Sequence, residues 1–349
     1  MNKQYDFGIV IGRFQPFHLA HQNLIQHSLS LAEKVIVVLG SARSASDIKN
    51  PFTPAMREEI IRACFPDDCD RLIFRAVRDY PYNDHIWTSE VQNVVGEITE
   101  DDEKTDSQIA IIGFFKDRSS YYLNLFPQWN FEEFYCADKK LLTLNASQIR
   151  EKFFDGDNDW EEFLPPQAAA ALEVFKQTED FPKLQKEFAY LQKYKADTRF
   201  VGVPYEATFI TTDAVVVQSG HVLVIRRGHQ PGKGLLALPG GFLASGLTLE
   251  DNAIKELKEE TQIKVAAQVL RGSIKNSHAF DYPERSLRGR TVTFAYFIEL
   301  APDLKDGLPK VKGGDDAAKA FWLPLSALGE KENEFFEDHY FIIRYFIGF

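Results

Sequence analysis

The sequence predicts two unlike domains: an α/β doubly wound parallel sheet followed by a mixed α+β fold. Three observations predict this. A chain of 349 residues exceeds what one ordinary core fills. Its first half alternates short β-rich runs with amphipathic stretches, the pattern of parallel strands joined by crossover helices. From about Glu206 the texture changes to paired strands around one strong helix, and no internal repeat links the halves.

The strands of the first half are "FGIVIG", "VIVVLG", "LIFRAV" and "IAIIGF". After "GRFQPFH", Leu24, Ile25, Leu29, Leu31 and Ala32 fall at helical spacing with polar residues between them. "FLPPQAAAALEVF" (163 to 175) reads as a closing helix with its prolines in the first turn. A charged stretch follows, with Phe181, Leu184, Phe188 and Leu191 as its apolar stripe. The expected organisation is therefore a first domain over 1–178, a helical linker over 179–204 and a second domain over 205–349. In the second domain "ATFITTDAVVVQ" and "HVLVIRR" form a hairpin turning near Ser219-Gly220, and "TVTFAYFIEL" is a further strand. "LEDNAIKELKEET" is the one strong helix.

Composition narrows the function classes. Hydrophobic residues at 44% and charged ones at 26% describe a globular protein. A formal net charge of -11 argues against a general nucleic-acid binder, which needs a basic surface, while leaving room for a local anion pocket. Cys64, Cys69 and Cys136 form no CxxC pair and no metal-like spacing, which reads as a reducing compartment. No apolar run approaches membrane-spanning length and no signal-peptide architecture is seen, so a cytoplasmic setting without membrane contact is expected. Whether the chain forms a homo-oligomer is left open.

"GRFQPFHLAH" (12 to 21) follows the first strand directly. A strand running through Gly12 into a helix sets the helix's free N–H groups beside the strand's carboxyl end, where an open α/β sheet holds anions. His18 and His21 are i, i+3 and project to one side, able to hydrogen-bond phosphate and stabilise charge on a leaving pyrophosphate. Arg13 could add a bidentate grip. Taken alone, a histidine pair of this spacing reads more readily as a helix cap and a packed core residue.

The run resembles the HxGH signature of the nucleotidyltransferase superfamily, a Rossmann-like fold, in its archaeal-type nicotinamide mononucleotide adenylyltransferase branch. Ala20 stands where the signature has glycine. "NPFT" (50 to 53) with Arg57, "VRDYPYNDHIW" (77 to 87) and "LNASQIR" (144 to 150) resemble that family's further motifs, and the likeness spans residues 5 to 175. The resemblance implies that Gly12, Arg13, Lys49, Arg57 and Ser147 contact ATP and its phosphates. It implies that His18, His21 and Arg150 act at the transferred phosphate, and that Asp79 and Trp87 serve the nicotinamide mononucleotide. On residue type alone Trp87 is as readily a core tryptophan, and Lys49 and Arg57 could merely solvate a loop. The implied chemistry is adenylyl transfer from ATP, positioned by the protein with Mg2+ assisting.

In the second half Glu256, Glu259 and Glu260 fall at i, i+3 and i+4 of one helix. Three like charges on one face repel unless a cation neutralises them, and hard Mg2+ or Mn2+ suits an all-oxygen site. A solvated acidic face is the plainer reading, weakened by "LPGGF" upstream, whose carbonyls could serve the same ion. Together they resemble the Nudix box, with Gly241, Glu256, Leu257, Glu259, Glu260 and Ile263 matching; the resemblance implies a metal site at Gly241, Glu256, Glu259 and Glu260, with Glu259 catalytic. Leu247, Lys255 and Gln262 depart from the box, and lysine lacks arginine's planar fork. "HAFDYPERSLRGRTVTFAYF" and "GGDDAAKAFWLPL" resemble the ADP-ribose pyrophosphatase group, which implies contacts to ADP-ribose from Arg285, Arg288 and Arg290. His339 reads as an auxiliary base or, more plainly, as a packed residue.

The order of motifs resembles the bifunctional nicotinamide mononucleotide adenylyltransferase/ADP-ribose pyrophosphatase proteins. The expectation is NAD synthesis in the first half and hydrolysis of ADP-ribose to AMP and ribose 5-phosphate in the second, with nucleotides as the partners. Two alternatives stay open: another phosphorylated acceptor, such as phosphopantetheine, or a second half that senses nucleotides without turning them over.

Overall fold

The computed structural model describes residues 3–100, 107–115, 118–135, 141, 144–157, 159–197, 207–303, 305, 307–314 and 316–348. It divides into two compact units, Met1–Lys186 and Glu187–Phe349. Cys136, the end of the expected linker (198–204) and the start of the expected second domain (205–206) lie outside the described residues.

In the first unit five strands form one parallel sheet: β1 (Tyr5–Gly12), β2 (Ala32–Leu39), β3 (Leu72–Ala76), β4 (Ile109–Gly113) and β5 (Asn130–Glu133). Their order, β3-β2-β1-β4-β5, reverses between β1 and β4, which makes the carboxyl edge of those strands the natural ligand crevice. Ile9 pairs with both Ile36 and Ile111 at the centre of the sheet. Apolar runs such as "FGIVI" are continuous because helices cover both faces of a parallel sheet. Those helices are α1 (Leu19–Leu31), α2 (Pro54–Cys64), α3 (Asp84–Glu100), α4 (Ala146–Asp155) and α5 (Pro166–Phe175). Leu24, Ile25 and Leu29 of α1 are buried as their spacing predicts, whereas Ala32 opens β2 instead of extending the helix. Val91, Val95 and Ile98 of α3 pack on Phe7, Ile9 and Ile111.

Helix α6 (Asp180–Lys195) falls where the linker was expected, and the division between the units lies inside it. Among the described residues the second unit holds seven strands: β6 (Phe209–Gln218), β7 (His221–Arg227), β8 (Leu236–Ala237), β9 (Gly240–Phe242), β10 (Ile274–Phe280), β11 (Thr291–Glu299) and β12 (Ala317–Pro324). The main path runs β10-β11-β6-β7-β12, with β8 on β7 and β9 on β6. Strands β6 and β11 are parallel; the other pairs are antiparallel. Helix α7 (Leu249–Thr261) lays Ile254 and Leu257 on Ala214, Val216 and Leu223, and α8 (Ala267–Gly272) adds Leu270. Helix α9 (His339–Ile347) ends the described chain. Among the described residues no helix is long and apolar enough to cross a membrane.

Candidate active sites

The first site forms at the carboxyl edge of β1 and β2. After Gly12 the backbone turns through Phe14 at φ 53, and the Phe14 ring folds over Gly12. A Cβ on Gly12 would come 2.9 Å from that ring, so glycine is needed there for room. His18 then sits at the N-cap of α1 with its ring stacked on His21, centroids 3.6 Å apart at 19°. The His18 amide donates to His21 Nδ1 at 3.4 Å. With Nδ1 accepting, the neutral His21 ring carries its proton on Nε2.

Gln15, which the sequence reading passed over, ties this loop to the next. It is buried; its Oε1 accepts the Phe52 N–H at 3.0 Å and its Nε2 donates to the Phe52 carbonyl at 2.8 Å. An internal glutamine in an apolar loop was the available signal, because a buried amide must find partners. The Gln15 carbonyl accepts Arg150 Nη1 at 2.5 Å, Arg150 Nε donates to the Ile48 carbonyl at 2.9 Å, and Nη2 donates to Ser147 Oγ at 3.1 Å. The structure therefore brings His18, His21, Ser147 and Arg150 around one loop.

Arg57 is placed otherwise than the sequence suggests. It is 1% exposed, with Nη1 donating to the carbonyls of Arg13 at 2.6 Å and Gly40 at 2.7 Å. Burial lowers its pKa to about 10 while Asp79 works the other way. Its guanidinium clamps the loops after β1 and β2 from within, because carbonyls at two strand ends need a donor that water cannot reach. Asp79 grips Ser41 with both oxygens, at 3.1 Å from the amide and 2.5 Å from the hydroxyl. Trp87 is half-buried in α3, edge-on to Tyr122 with centroids 5.9 Å apart, and packs against the core. Arg13 is exposed, and Lys49 is half-buried with its amide on Asp47 at 2.8 Å.

The second site lies where β9 meets α7. A Cβ on Gly240 would fall 2.2 Å from the Thr212 carbonyl, and one on Gly241 2.7 Å from Glu256 Oε2. The two glycines thus let the turn close onto the helix. The Gly240 amide donates to Glu260 Oε2 at 2.9 Å. Asn252, also missed from sequence, donates to Thr212 Oγ1 at 2.9 Å and accepts the Ala244 amide at 3.0 Å, holding the turn's exit against α7.

The three glutamates do not share one environment. Glu260 is buried, Glu256 half-buried and Glu259 exposed. Burial, with Glu256 and Asp213 adding to it, pushes the Glu260 carboxyl up to about 8 against the pull of the Gly240 amide and of Arg227. Burial likewise lifts Asp213 to about 6 against the pull of Arg285. Among the described residues no three His, Cys, Asp or Glu side chains form a ready metal cage. Instead Lys255 Nζ bridges Glu256 at 3.0 Å and Glu259 at 2.7 Å. With Leu247 in place of an acidic partner, the ammonium turns to its own helix. The donor set still fits a hard divalent ion, since carboxylates crowded on one helix face are relieved by an added cation. Gln262 explains another departure: it ends α7 at φ 48, a left-handed position that glycine adopts without strain.

The expected substrate arginines divide. Arg285 is buried in a two-pronged pair with Asp338, at 2.9 and 2.8 Å, so it is part of the framework. Arg288 is half-buried over the Phe242 ring at 5.2 Å, and Arg290 donates to the Asp281 carbonyl at 2.5 Å. His339 is buried and its Nδ1 accepts the Leu238 amide at 3.0 Å. Burial, then Arg285, hold its pKa well below the usual value. The packed reading is the one this geometry favours; His339 anchors "LPGG" and is no base.

Comparison with known proteins agrees with both halves. Residues 208–346 match the NUDIX domain model and residues 9–110 the cytidylyltransferase-like model. A bifunctional NMN adenylyltransferase/ADP ribose pyrophosphatase from Francisella tularensis, crystallised with AMP and a manganese ion, superposes with a TM-score of 0.88 at 31% identity, covering 99% of each chain. The chain belongs to that bifunctional family. The nicotinamide/nicotinic acid mononucleotide adenylyltransferase of Acinetobacter baylyi is 37% identical over 194 residues, 55% of this chain and 95% of that protein. The ADP-ribose pyrophosphatase of Methanocaldococcus jannaschii is 29% identical over 119 residues, 34% of this chain and 63% of that protein. Family membership accounts for the stacked histidines and the glycine-glutamate turn occurring in one chain.

Proposed function

We propose that the first unit transfers the adenylyl group of ATP to nicotinamide mononucleotide, giving NAD and pyrophosphate, and that the second hydrolyses ADP-ribose to AMP and ribose 5-phosphate. The observation that carries the reading is the His18–His21 stack at the N-terminus of α1, set at the strand-order reversal in a chain of this family. In the first reaction a phosphate oxygen of the mononucleotide attacks the α-phosphorus in line, and the bond to the bridging oxygen of pyrophosphate breaks. The acceptor is already a nucleophile, so the protein's task is to position two polyanions and offset their repulsion. His21 Nε2–H and the free amides of α1 donate to phosphate oxygens as charge moves to the leaving group. Gly12, Arg13, Lys49 and Ser147 line the phosphate path. Arg150 supports it with a guanidinium fixed by carbonyls, and Arg57 acts one layer deeper, on loop position. Asp79 and Trp87 belong to the mononucleotide side.

In the second reaction Gly241, Glu256, Glu259 and Glu260 would hold Mg2+ or Mn2+. The bound ion would polarise the diphosphate and make water more acidic. Arg288 and Arg290 face the diphosphate and ribose. Mg2+ also accompanies ATP, and the proposed setting is the cytoplasm.

The test is a dual assay on the intact protein: NAD formation from ATP and nicotinamide mononucleotide, then AMP release from ADP-ribose with each metal. Both products are expected. Preference for phosphopantetheine in an acceptor panel would overturn the first assignment. Tight ADP-ribose binding without turnover would make the second unit a sensor, a reading that the Lys255 bridge favours.

A further inference from the structure

The segment from Phe335 to His339 is held in register against β8, just ahead of the Gly240–Gly241 turn. Phe335 bridges Leu236, the Phe336 amide donates to the Leu236 carbonyl at 2.8 Å, and the Leu238 amide donates to His339 Nδ1 at 3.0 Å. Asp338 takes two N–H groups of Arg285. Between these anchors Glu337 adopts φ 47, a left-handed conformation that non-glycine residues rarely take unless their surroundings impose it.

That backbone carries its carboxylate inward. The side chain is 7% exposed; the Ser286 hydroxyl stands near enough to lower its pKa, yet neither carboxylate oxygen completes a hydrogen bond of good geometry among the described residues. Arg288 Nη2 stands 3.7 Å away, close enough for attraction and too far for a hydrogen bond. Arg288 lies over Phe242 of β9 at 5.2 Å and over Phe336 at 5.9 Å; Arg227 lies over Phe336 at 4.1 Å. Two guanidiniums and one carboxylate with unmet acceptors therefore sit beside the turn that presents Gly241. Burial pushes the Glu337 carboxyl up, and Arg288 and then Arg285 pull it back.

A carboxylate can only accept, whereas guanidiniums only donate. A ligand satisfying both must carry phosphate oxygens next to hydroxyl groups. We infer that Glu337 is a specificity-determining residue of the second site, accepting hydrogen bonds from the sugar hydroxyls of a nucleoside diphosphate sugar whose phosphates face Arg288 and Arg227. This deepens the ADP-ribose reading above and rests on it.

The test uses the full chain. ADP-ribose is titrated in EDTA to give Kd, and Mn2+-dependent turnover gives kcat and KM. Glu337→Gln is expected to raise Kd and KM about tenfold or more while kcat stays within about threefold. Glu337→Gly relieves the left-handed backbone, so it should melt at or above the wild-type temperature and still bind about tenfold more weakly. A fall in kcat at unchanged KM would make the carboxylate a proton acceptor for water and overturn the inference. Unchanged constants, or variants that unfold, would overturn it as well. Wild-type protein that turns over ADP-ribose while the variants match it sinks this inference alone. Wild-type protein that neither binds nor hydrolyses ADP-ribose sinks the underlying reading.

Discussion

At the first site the decisive charges are cations whose geometry is set by main-chain carbonyls: Arg150 on Gln15 and Ile48, Arg57 on Arg13 and Gly40. At the second they are carboxylates, one of them bonded to a main-chain amide and two of them bridged by a single lysine. A cradle for polyanions can be finished by the fold, because carbonyls orient guanidiniums without cancelling their charge. A cluster of carboxylates cannot be finished that way, because every added acid raises the cost of ionising the others. At the first site main-chain carbonyls thus hold the cations in place, while at the second the Lys255 ammonium stands between two of the carboxylates.

The largest effect that would break this comparison is at the histidine stack. His21→Ala, which removes the Nε2–H donor, should lower NAD formation by about two to three orders of magnitude, the scale of losing a preorganised donor, with ADP-ribose turnover unchanged. Both activities are measured on one preparation; parallel loss of the two would mean the sites are not independent. The next effect is on stability. Arg285→Ala strands Asp338 in a buried place and should cost the second unit about 3–5 kcal/mol in denaturant or thermal unfolding. Replacing both partners, Arg285→Met with Asp338→Leu, should recover most of that loss. If the single variant is as stable as wild type, the pair is not the framework element described.

Much of this was legible beforehand, and what was not has a common cause. Periodicity exposed the four apolar strands of the first unit and the amphipathic α7, because burial of one face leaves a pattern in sequence. The spacing of His18 and His21 put both rings on one side, since i, i+3 neighbours share a helix face; their stacking is added by the structure. Strands β5, β8, β9, β10 and β12 escaped: β8 and β9 are two or three residues long, β5 is four residues and mostly exposed, β10 is mostly exposed on both faces, and β12 buries its residues without a strict alternation. The arginines were the harder failure. Arg57 and Arg285 look like phosphate ligands in sequence, but a guanidinium serving buried carbonyls or a buried aspartate has the same letter as one awaiting a substrate. Gln15 and Asn252 are the converse case: an amide inside an apolar segment, as at Gln15, signals burial, but the partners, Phe52 for Gln15 and Thr212 for Asn252, are distant in the chain and carry no mark in the sequence.

The smallest effects sharpen the second half of the comparison. Glu260 keeps its proton in the metal-free fold up to about 8, so below that pH a divalent ion must expel a proton to use this carboxylate. Mn2+ affinity, read by the free-ion EPR signal, should therefore climb by about tenfold per unit from pH 6 towards 8 and flatten above it. The sign follows from the direction of the shift: a raised carboxyl competes with metal at low pH, whereas a depressed one would leave affinity flat across this window. Lys255 stays charged throughout, because Glu259 and Glu256 hold its pKa up, so its competition is independent of pH here. It is also weak, since exposed ion pairs contribute little. Lys255→Met should tighten Mn2+ binding about two- to fivefold at every pH without altering the slope. A changed slope would place the lysine in the proton balance, and weaker binding would mean that it orients the glutamates for the ion instead of standing in its place.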